Sequence, residues 1–507
     1  MKRIKKLAAA MLTAIMMMTM TVTAFAAETT HTLTVNVNGG QDLNGQTVNL
    51  YKLFDVTESG TTESKNYAYT VNTQYKAALA NVLSIPETSK DEEFAKAVAD
   101  KTATIQQFAN DFTAKALTDN LGVTKTSGKI TEENKTSYTF SNLEAGYYLV
   151  YVTGGKEIQS SLVTVDGTTN TVNLKTEAPS ISKTADKKTV EIGQVVTYTV
   201  KGSIPDTTGY EQYQYIIHDE LSTGLDFVDD ANGTALGEGA TTVNVKVAFT
   251  DADVTTAGTT PTTATLDTAN KRKMSLDLST WVRANQANKG KEFTVTYYAK
   301  VNKDAVVTEK NKAQLEYGNK PGETTTTTPS EAKTPTYPLD ILKKNAKNND
   351  KLAGAKFKLY RNEEDAKADQ NAIKVSGSNG NYVVDSTSST TEFESAKDIA
   401  GQKYNLRVNG LAEGTYYLVE TKAPDGFNKL TAPVKIKITK STDTDVTKWT
   451  ISKDGTDETD KIIDIENSTG SLLPSTGGAG VIVFAGVAIL LVFGVVVSFI
   501  RDKRKAC

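Results

Sequence analysis

Gly146-Tyr147-Tyr148-Leu149-Val150 and Gly414-Thr415-Tyr416-Tyr417-Leu418-Val419 are near-copies within one 507-residue chain, the second longer by one residue. Each lies downstream of another shared motif. Leu43-Asn44-Gly45-Gln46-Thr47-Val48-Asn49-Leu50-Tyr51 matches Leu352-Ala353-Gly354-Ala355-Lys356-Phe357-Lys358-Leu359-Tyr360 as L-x-G-x-x-apolar-x-L-Y. Successive side chains on a strand point to opposite faces, so these alternating segments read as strands with one buried face. Two motifs repeated in the same order predict two copies of one β-sandwich module.

Leu43 and Tyr148 are 105 residues apart, whereas Leu352 and Tyr417 are 65 apart, so the first copy carries about forty extra residues. They coincide with Ser89–Leu117, where Phe94, Val98, Ile105, Phe108 and Phe112 recur at helical intervals. Ser89-x-x-Glu92 offers a capping box, so the insertion reads as a packing helix on a β domain. Between the copies, Val195–Val200, Thr242–Phe249 and Phe293–Tyr298 read as strands of a third domain. The run Thr324–Thr328, between Pro321 and Pro329, reads as an extended linker. The fold class is all-β: tandem Ig-like sandwiches, with a helical insertion in the N-terminal one.

Composition agrees. Threonine occurs 75 times against 11 prolines, which favours extended strands. A net charge of −3 gives no basic face for nucleic acid. One cysteine makes no internal disulfide or thiolate cluster, and His31 and His218 are far apart in sequence. No EF-hand loop is evident. No cofactor or metal is expected, and ordinary enzyme classes are disfavoured.

The ends point outside the cell. Lys2, Arg3, Lys5 and Lys6 precede the apolar run Leu7–Met20 and the small-x-small site Ala24-Phe25-Ala26, the layout of a secretory leader over residues 1–26. Val481–Ile500 is twenty residues without a charge, long enough to cross a bilayer, and Arg501, Lys503, Arg504 and Lys505 follow it. Just upstream stands Leu473-Pro474-Ser475-Thr476-Gly477. The order of pentapeptide, apolar span and basic tail resembles the LPXTG sorting signal of Gram-positive surface proteins. The resemblance implies that a sortase cysteine attacks the Thr476 carbonyl, that Gly477 leaves with the span, and that an amine resolves the thioester. Domain boundaries follow: 27–174, 175–333 with the threonine run, 334–468, and a sorting tail over 469–507. The mature span would carry no cysteine, because Cys507 lies beyond Thr476.

Leu339, Ile341 and Lys343 share one face of a strand, so Lys343 is expected to point inward among core residues. Glu420 ends the strand Tyr416–Glu420, and Asn467 ends Ile462–Asn467. Burial favours a neutral amine and a protonated carboxyl. Such an amine can attack the Asn467 carboxamide while Glu420 shuttles protons, joining first strand to last through an isopeptide bond. A buried Lys343–Glu420 salt bridge is the plainer reading. Tyr416-Tyr417-Leu418-Val419-Glu420-Thr421-Lys422-Ala423-Pro424-Asp425-Gly426-Phe427 resembles the E-box of the collagen-adhesin B-type (CNA-B) domains of sortase-assembled pilins. Lys343 also has that family's spacing to the L-x-G strand, and Lys344 is its solvent-facing neighbour.

The first copy has Thr34 nine residues before Leu43 and Tyr151 after Leu149-Val150, so nucleophile and shuttle are both missing. Asn173 alone cannot react, and that domain is expected to be uncrosslinked. The middle domain resembles the second domain of major pilins, which implies Lys183 bonded to Asn311 with Asp219 as shuttle; Asn319, near Pro321, is the other partner considered. For the intermolecular lysine the pilin resemblance favours Lys175, in Asn173–Pro179, over the region of Tyr337-Pro338; a plain linker lysine is the alternative.

The resemblances together imply the structural shaft subunit of a covalently polymerised pilus that supports adhesion. The partners would be a pilin-specific and a housekeeping sortase, identical subunits, ancillary pilins and peptidoglycan, with host surface ligands in addition and no nucleic acid. The chain would be secreted, held transiently by 481–500, and then anchored to the cell wall. A monomeric wall-anchored adhesin of the same β modules is the second reading.

Overall fold

A computed structural model describes residues 30–38, 42–61, 64–154, 158–167, 169–208, 210, 212–319, 321–322 and 324–470. The leader, the 473–477 pentapeptide, the 481–500 span and Cys507 lie outside the described residues. Among those described, no helix is long and apolar enough to cross a membrane. The described residues divide into two units, those up to 187 with 195–300 and 310–333, and 188–194 with 301–309 and those from 334 onward.

In the first unit, His31–Asn36 buries alternate residues, as its sequence demands. It pairs antiparallel with Ser137–Leu143 and parallel with Thr169–Asn173. Facing it is a larger sheet of Ser64–Val71, Thr47–Thr61, Gly146–Thr153, Ile158–Val165 and Lys175–Glu177, in that order, with Lys125–Lys129 also on Thr47–Thr61. Gly146–Thr153 does not alternate: Gly146 to Val152 are all buried. Tyr148, Val150 and Val152 meet Leu33 and Val35 in the sandwich core, while Tyr147, Leu149 and Tyr151 meet Phe94, Phe108 and Phe112. The helical insertion covers the sheet's outer face, which is why this strand is apolar on both sides.

That insertion differs from the single expected helix. It holds Lys76–Leu83, Asp91–Asp100 and Ile105–Thr118, the last two separated by a 3-10 turn at Thr102–Thr104. The cap also lies one residue later than Ser89-x-x-Glu92 suggests: the Glu93 carboxylate accepts from the Lys90 N–H at 2.9 Å.

The same unit contains a second pair of sheets. Ser182–Ala185, Val195–Ser203, Glu292–Val301 and Leu225–Val228 form one, with Lys246–Phe249 also pairing to Glu292–Val301. Thr242–Asn244, Thr263–Leu266, Lys273–Asp277, Gln214–Leu221, Lys310–Gly318 and Thr324–Thr326 form the other. Two expectations are corrected here. The strand read as Thr242–Phe249 is two strands, Thr242–Asn244 and Lys246–Phe249, that enter different sheets. The threonine run is no linker: Thr324–Thr326 pairs with Glu316–Gly318, and Ser330–Lys333 pairs with Lys310–Ala313. The β-branched threonine favours a strand, and a neighbouring edge was available to pair with it.

In the second unit, Val375–Ser378, Asn381–Val384, Leu406–Leu411, Tyr337–Asn345 and Ile462–Asn467 form one sheet. Phe393–Glu394, Lys356–Tyr360, Gly414–Lys422, Val434–Thr439, Thr450–Lys453 and Thr456–Asp457 form its partner. Tyr337–Asn345 runs parallel to Ile462–Asn467, as His31–Asn36 does to Thr169–Asn173. The glycine shared by the two L-x-G motifs has one backbone reason: Gly45 and Gly354 sit at φ 78° and 82°, where a Cβ is disfavoured.

Candidate functional site

The alternation that buries Leu339 and Ile341 carries Lys343 into the same core, with its side chain wholly inaccessible. Glu420 lies at the buried position after Tyr416 and Leu418 on the facing sheet, and Asn467 ends the strand beside Lys343's own. The structure brings these three together. Lys343 Nζ stands 3.2 Å from Glu420 Oε1, both side chains at zero exposure. Asn467 Nδ2 donates to Glu420 Oε2 at 2.9 Å and to the Asn428 carbonyl at 2.8 Å. The Leu430 N–H also donates to Glu420 Oε2. The Asn467 carbonyl oxygen, buried, has no hydrogen-bond partner, while Lys343 Nζ and Glu420 Oε1 have only their ion pair with each other. Burial holds the Lys343 amine below its usual range, although Glu420 opposes this.

A second cluster lies in the first unit. Lys183 Nζ is 2.5 Å from Asp219 Oδ2, again with both side chains at zero exposure. Asp219 follows Tyr215 and Ile217 on the buried face of its strand, and Asn311 leads Ala313 and Leu315 on the buried face of the next. Burial lowers the Lys183 amine to about 8 and raises the Asp219 carboxyl, their mutual attraction working the other way. Asp219 Oδ1 and Asn311 Oδ1 are buried without hydrogen-bond partners. An unpaired buried polar atom is costly, and each cluster has one in its asparagine carbonyl oxygen, Asn467 Oδ1 or Asn311 Oδ1.

Lys344 is excluded from the first cluster by its ion pairs with Asp464 and Glu466 at 2.6 and 3.3 Å. Asn319 follows the end of the Lys310–Gly318 strand, in the connection to Thr324–Thr326. Lys175 starts the strand Lys175–Glu177, whose backbone pairs with Ile158–Ser160.

The N-terminal copy carries no such cluster, but the residues that replace it differ from those counted along the sequence. Tyr148 and Tyr416 each donate a hydroxyl hydrogen bond to the carbonyl four residues back, Glu144 and Ala412. Tyr51 pairs with Leu149 as Tyr360 pairs with Tyr417, and Val48 with Val152 as Phe357 with Glu420. The two strands therefore align without an inserted residue, and Val152, not Tyr151, stands where the other copy has Glu420. Thr34 lies on the outer face with its hydroxyl on Thr139, and Asn173 accepts there from Asn36. Val35 pairs with Val172 as Lys343 pairs with Ile465, with Leu174 two residues on as Asn467 is. Val35, Val152 and Leu174 all lie in one apolar core.

Sequence reasoning missed several supporting groups. Asn405, wholly buried, accepts from the Lys343 N–H at 2.7 Å and donates to the Leu352 and Ala396 carbonyls at 3.0 Å. Tyr297 lies on the buried face of Glu292–Val301 with Phe293 and Val295, and its hydroxyl enters the Lys183 cluster. Period-two parity was the available signal for Tyr297. A different constellation sits on the outer face: His218 Nδ1 and Nε2 are each 2.8 Å from Ser275 Oγ and Glu316 Oε2. His218 and Ser275 are directly paired across two antiparallel strands, so this is a cross-strand side-chain network. Among the described residues, no group of three or more His, Cys, Asp or Glu is placed to hold a metal.

Residues 338–453 match the family model of the SpaA prealbumin-like fold domain. No curated protein matches the chain. Among solved structures, the T6 backbone pilin of serotype M6 Streptococcus pyogenes is 16% identical at a TM-score of 0.42, over 88% of this chain and 100% of that one. The major pilin SpaA of Corynebacterium diphtheriae is 18% identical at a TM-score of 0.39, over 87% and 100%. The major pilin BcpA of Bacillus cereus is 15% identical at a TM-score of 0.35, over 87% and 99%.

Proposed function

We propose that the chain is a structural shaft subunit of a covalently polymerised surface pilus, stiffened by Lys343–Asn467 and Lys183–Asn311 isopeptide bonds. The observation that carries this reading is the buried Lys343–Glu420–Asn467 cluster, which spans the first and last strands of a domain matching the SpaA fold. In each cluster the neutral lysine amine attacks the asparagine Cγ. The N–C bond forms, the Cγ–Nδ2 bond breaks, and the amide nitrogen leaves as ammonia with the proton the amine gave up. Glu420 or Asp219 carries that proton and begins and ends the cycle protonated. Burial supports the chemistry by disfavouring the charged forms of Lys183, Asp219 and Lys343.

The pentapeptide Leu473–Gly477, ahead of an apolar span and basic tail, supports cleavage by sortase between Thr476 and Gly477. Lys175, on a short strand at the junction of the first two β domains, is the amine proposed to accept the Thr476 acyl group of a neighbouring subunit. Incubating the leaderless chain, with Leu473–Gly477 still intact, with a pilin-type sortase tests the assembly. Wild type is expected to give a ladder that survives SDS, and Lys175→Ala to give monomer. A ladder from Lys175→Ala moves the junction to another lysine. A wild-type chain that anchors but never ladders overturns the pilus reading in favour of a monomeric adhesin.

A further inference from the structure

The two clusters differ in the length of the acid and in the rings beside the lysine. In the second unit the longer Glu420 reaches the Asn467 amide directly, at 2.9 Å, and the ring beside Lys343 is Phe357, its centroid 5.8 Å from Nζ. In the first unit the acid is the shorter Asp219, and the rings beside Lys183 are Tyr198 and Tyr297, at 4.8 and 4.7 Å. The Tyr297 hydroxyl is wholly buried and touches all three reacting residues. It accepts from Lys183 Nζ, donates to Asp219 Oδ2, and accepts from Asn311 Nδ2 at 3.4 Å.

We propose that Tyr297 is a catalytic residue of the Lys183–Asn311 reaction, relaying the proton from Asp219 to the departing Asn311 nitrogen. The inference rests on the reading that Lys183 and Asn311 become bonded. As the Lys183 Nζ–Asn311 Cγ bond forms, Asp219 gives its proton to Tyr297 Oη while the Tyr297 proton passes to Nδ2. The Cγ–Nδ2 bond breaks and ammonia leaves. The proton released by Lys183 returns to Asp219, so acid and phenol end as they began. No oxidant or other reactant enters.

The geometry gives the reason for a relay here and none in the other cluster. Asp219 is one methylene shorter than Glu420, and the Tyr297 hydroxyl stands within hydrogen-bond distance of both Asp219 Oδ2 and the leaving nitrogen. Proton transfer in the transition state needs a group within hydrogen-bond reach of the atom that receives it, and Tyr297 Oη is such a group. Because the Phe357 site is built without a hydroxyl, the same chain contains its own control.

The test follows bond formation in the full chain during cell-free synthesis, by intact mass and by the mass of the crosslinked Lys183–Asn311 peptide. Tyr297→Phe is expected to slow the middle-domain bond by about a hundredfold or more and to leave the Lys343–Asn467 bond at its normal rate. Should Tyr297→Phe fail to fold, 3,5-difluorotyrosine at position 297 keeps ring and hydroxyl while making the hydroxyl a stronger acid; a relay predicts faster bond formation. A Tyr297→Phe chain that folds and bonds at the wild-type rate, or a difluorotyrosine chain with an unchanged rate, overturns the relay alone. A wild-type chain with no Lys183–Asn311 peptide overturns the underlying reading instead.

Discussion

Asn467 donates its side-chain N–H to Glu420 Oε2 at 2.9 Å, placing the nitrogen that would leave as ammonia on the carboxyl proposed to protonate it. Lys343 Nζ is 3.2 Å from the other oxygen of that carboxyl. One acid thus touches both the nucleophile and the leaving group. Replacing it with an amide of the same shape keeps the packing and removes the titratable proton.

Glu420→Gln is therefore expected to leave the Lys343–Asn467 bond unformed, so that intact mass exceeds that of the bonded chain, corrected for the substitution, by one ammonia. The bond would tie together two ends of a long loop. By analogy with a disulfide its loss lowers stability on the order of 4–5 kcal/mol, and denaturant melts of the second unit read that difference. A Glu420→Gln chain at the fully bonded mass rules out Glu420 as the shuttle.

The Lys183–Asp219 pair fixes the sign of a pH dependence. Burial brings the amine down to about 8 and the carboxyl up, with Tyr297 and Asn311 the other polar groups at the pair. The reacting form holds one proton between them, on Asp219, the same number as the ion pair. Above about pH 8 that shared proton is lost, leaving a free amine with no acid to assist departure of ammonia. Middle-domain bond formation is expected to be flat near neutrality and to fall about tenfold per pH unit above about 8. A rate that climbs through pH 8 would mean that the neutral amine suffices and the Asp219 proton is not used.

Period-two alternation made much of this legible. The same parity that placed Leu339 and Ile341 inward placed Lys343 inward, and the structure has all three buried. Parity is local, however, and counting between motifs is not. Counting set Thr34 at the place of Lys343, whereas Thr34, like Asn173, lies on the outer face. It also set Tyr151 against Glu420, where Val152 belongs. Tyr297 was missed for a different reason: a tyrosine on a buried face reads as packing until the three groups around its hydroxyl are known.

The N-terminal copy should accordingly remain uncrosslinked, with Val35, Val152 and Leu174 contributing packing only. Leu174→Ala opens a cavity beside the other two and is expected to cost about 2–5 kcal/mol in that domain. Intact mass should show no change beyond the substitution itself. Peptide mapping that found any lysine–asparagine link within residues 27–174 would contradict the register derived from the Tyr148 and Tyr416 hydrogen bonds.

The threonine run offers a test that separates strand from linker. The Thr327 N–H donates to the Leu315 carbonyl at 2.9 Å, its hydroxyl accepts from the Leu315 N–H at 3.1 Å, and Thr324 Oγ1 donates to Glu316 at 2.8 Å. These bonds lie along the Lys310–Gly318 strand, which carries Asn311, so the run closes the edge of the sheet holding Asp219 and Asn311. An extended linker exchanges its amides freely, whereas a paired edge is protected. Hydrogen exchange is expected to find the Thr327 amide protected and the segment resistant to a broad-specificity protease. Thr327→Pro removes both the amide donor and the hydroxyl, and should expose 324–329 to cleavage while the Lys183–Asn311 bond still forms. Rapid exchange at Thr327 in the wild-type chain would return the run to a linker.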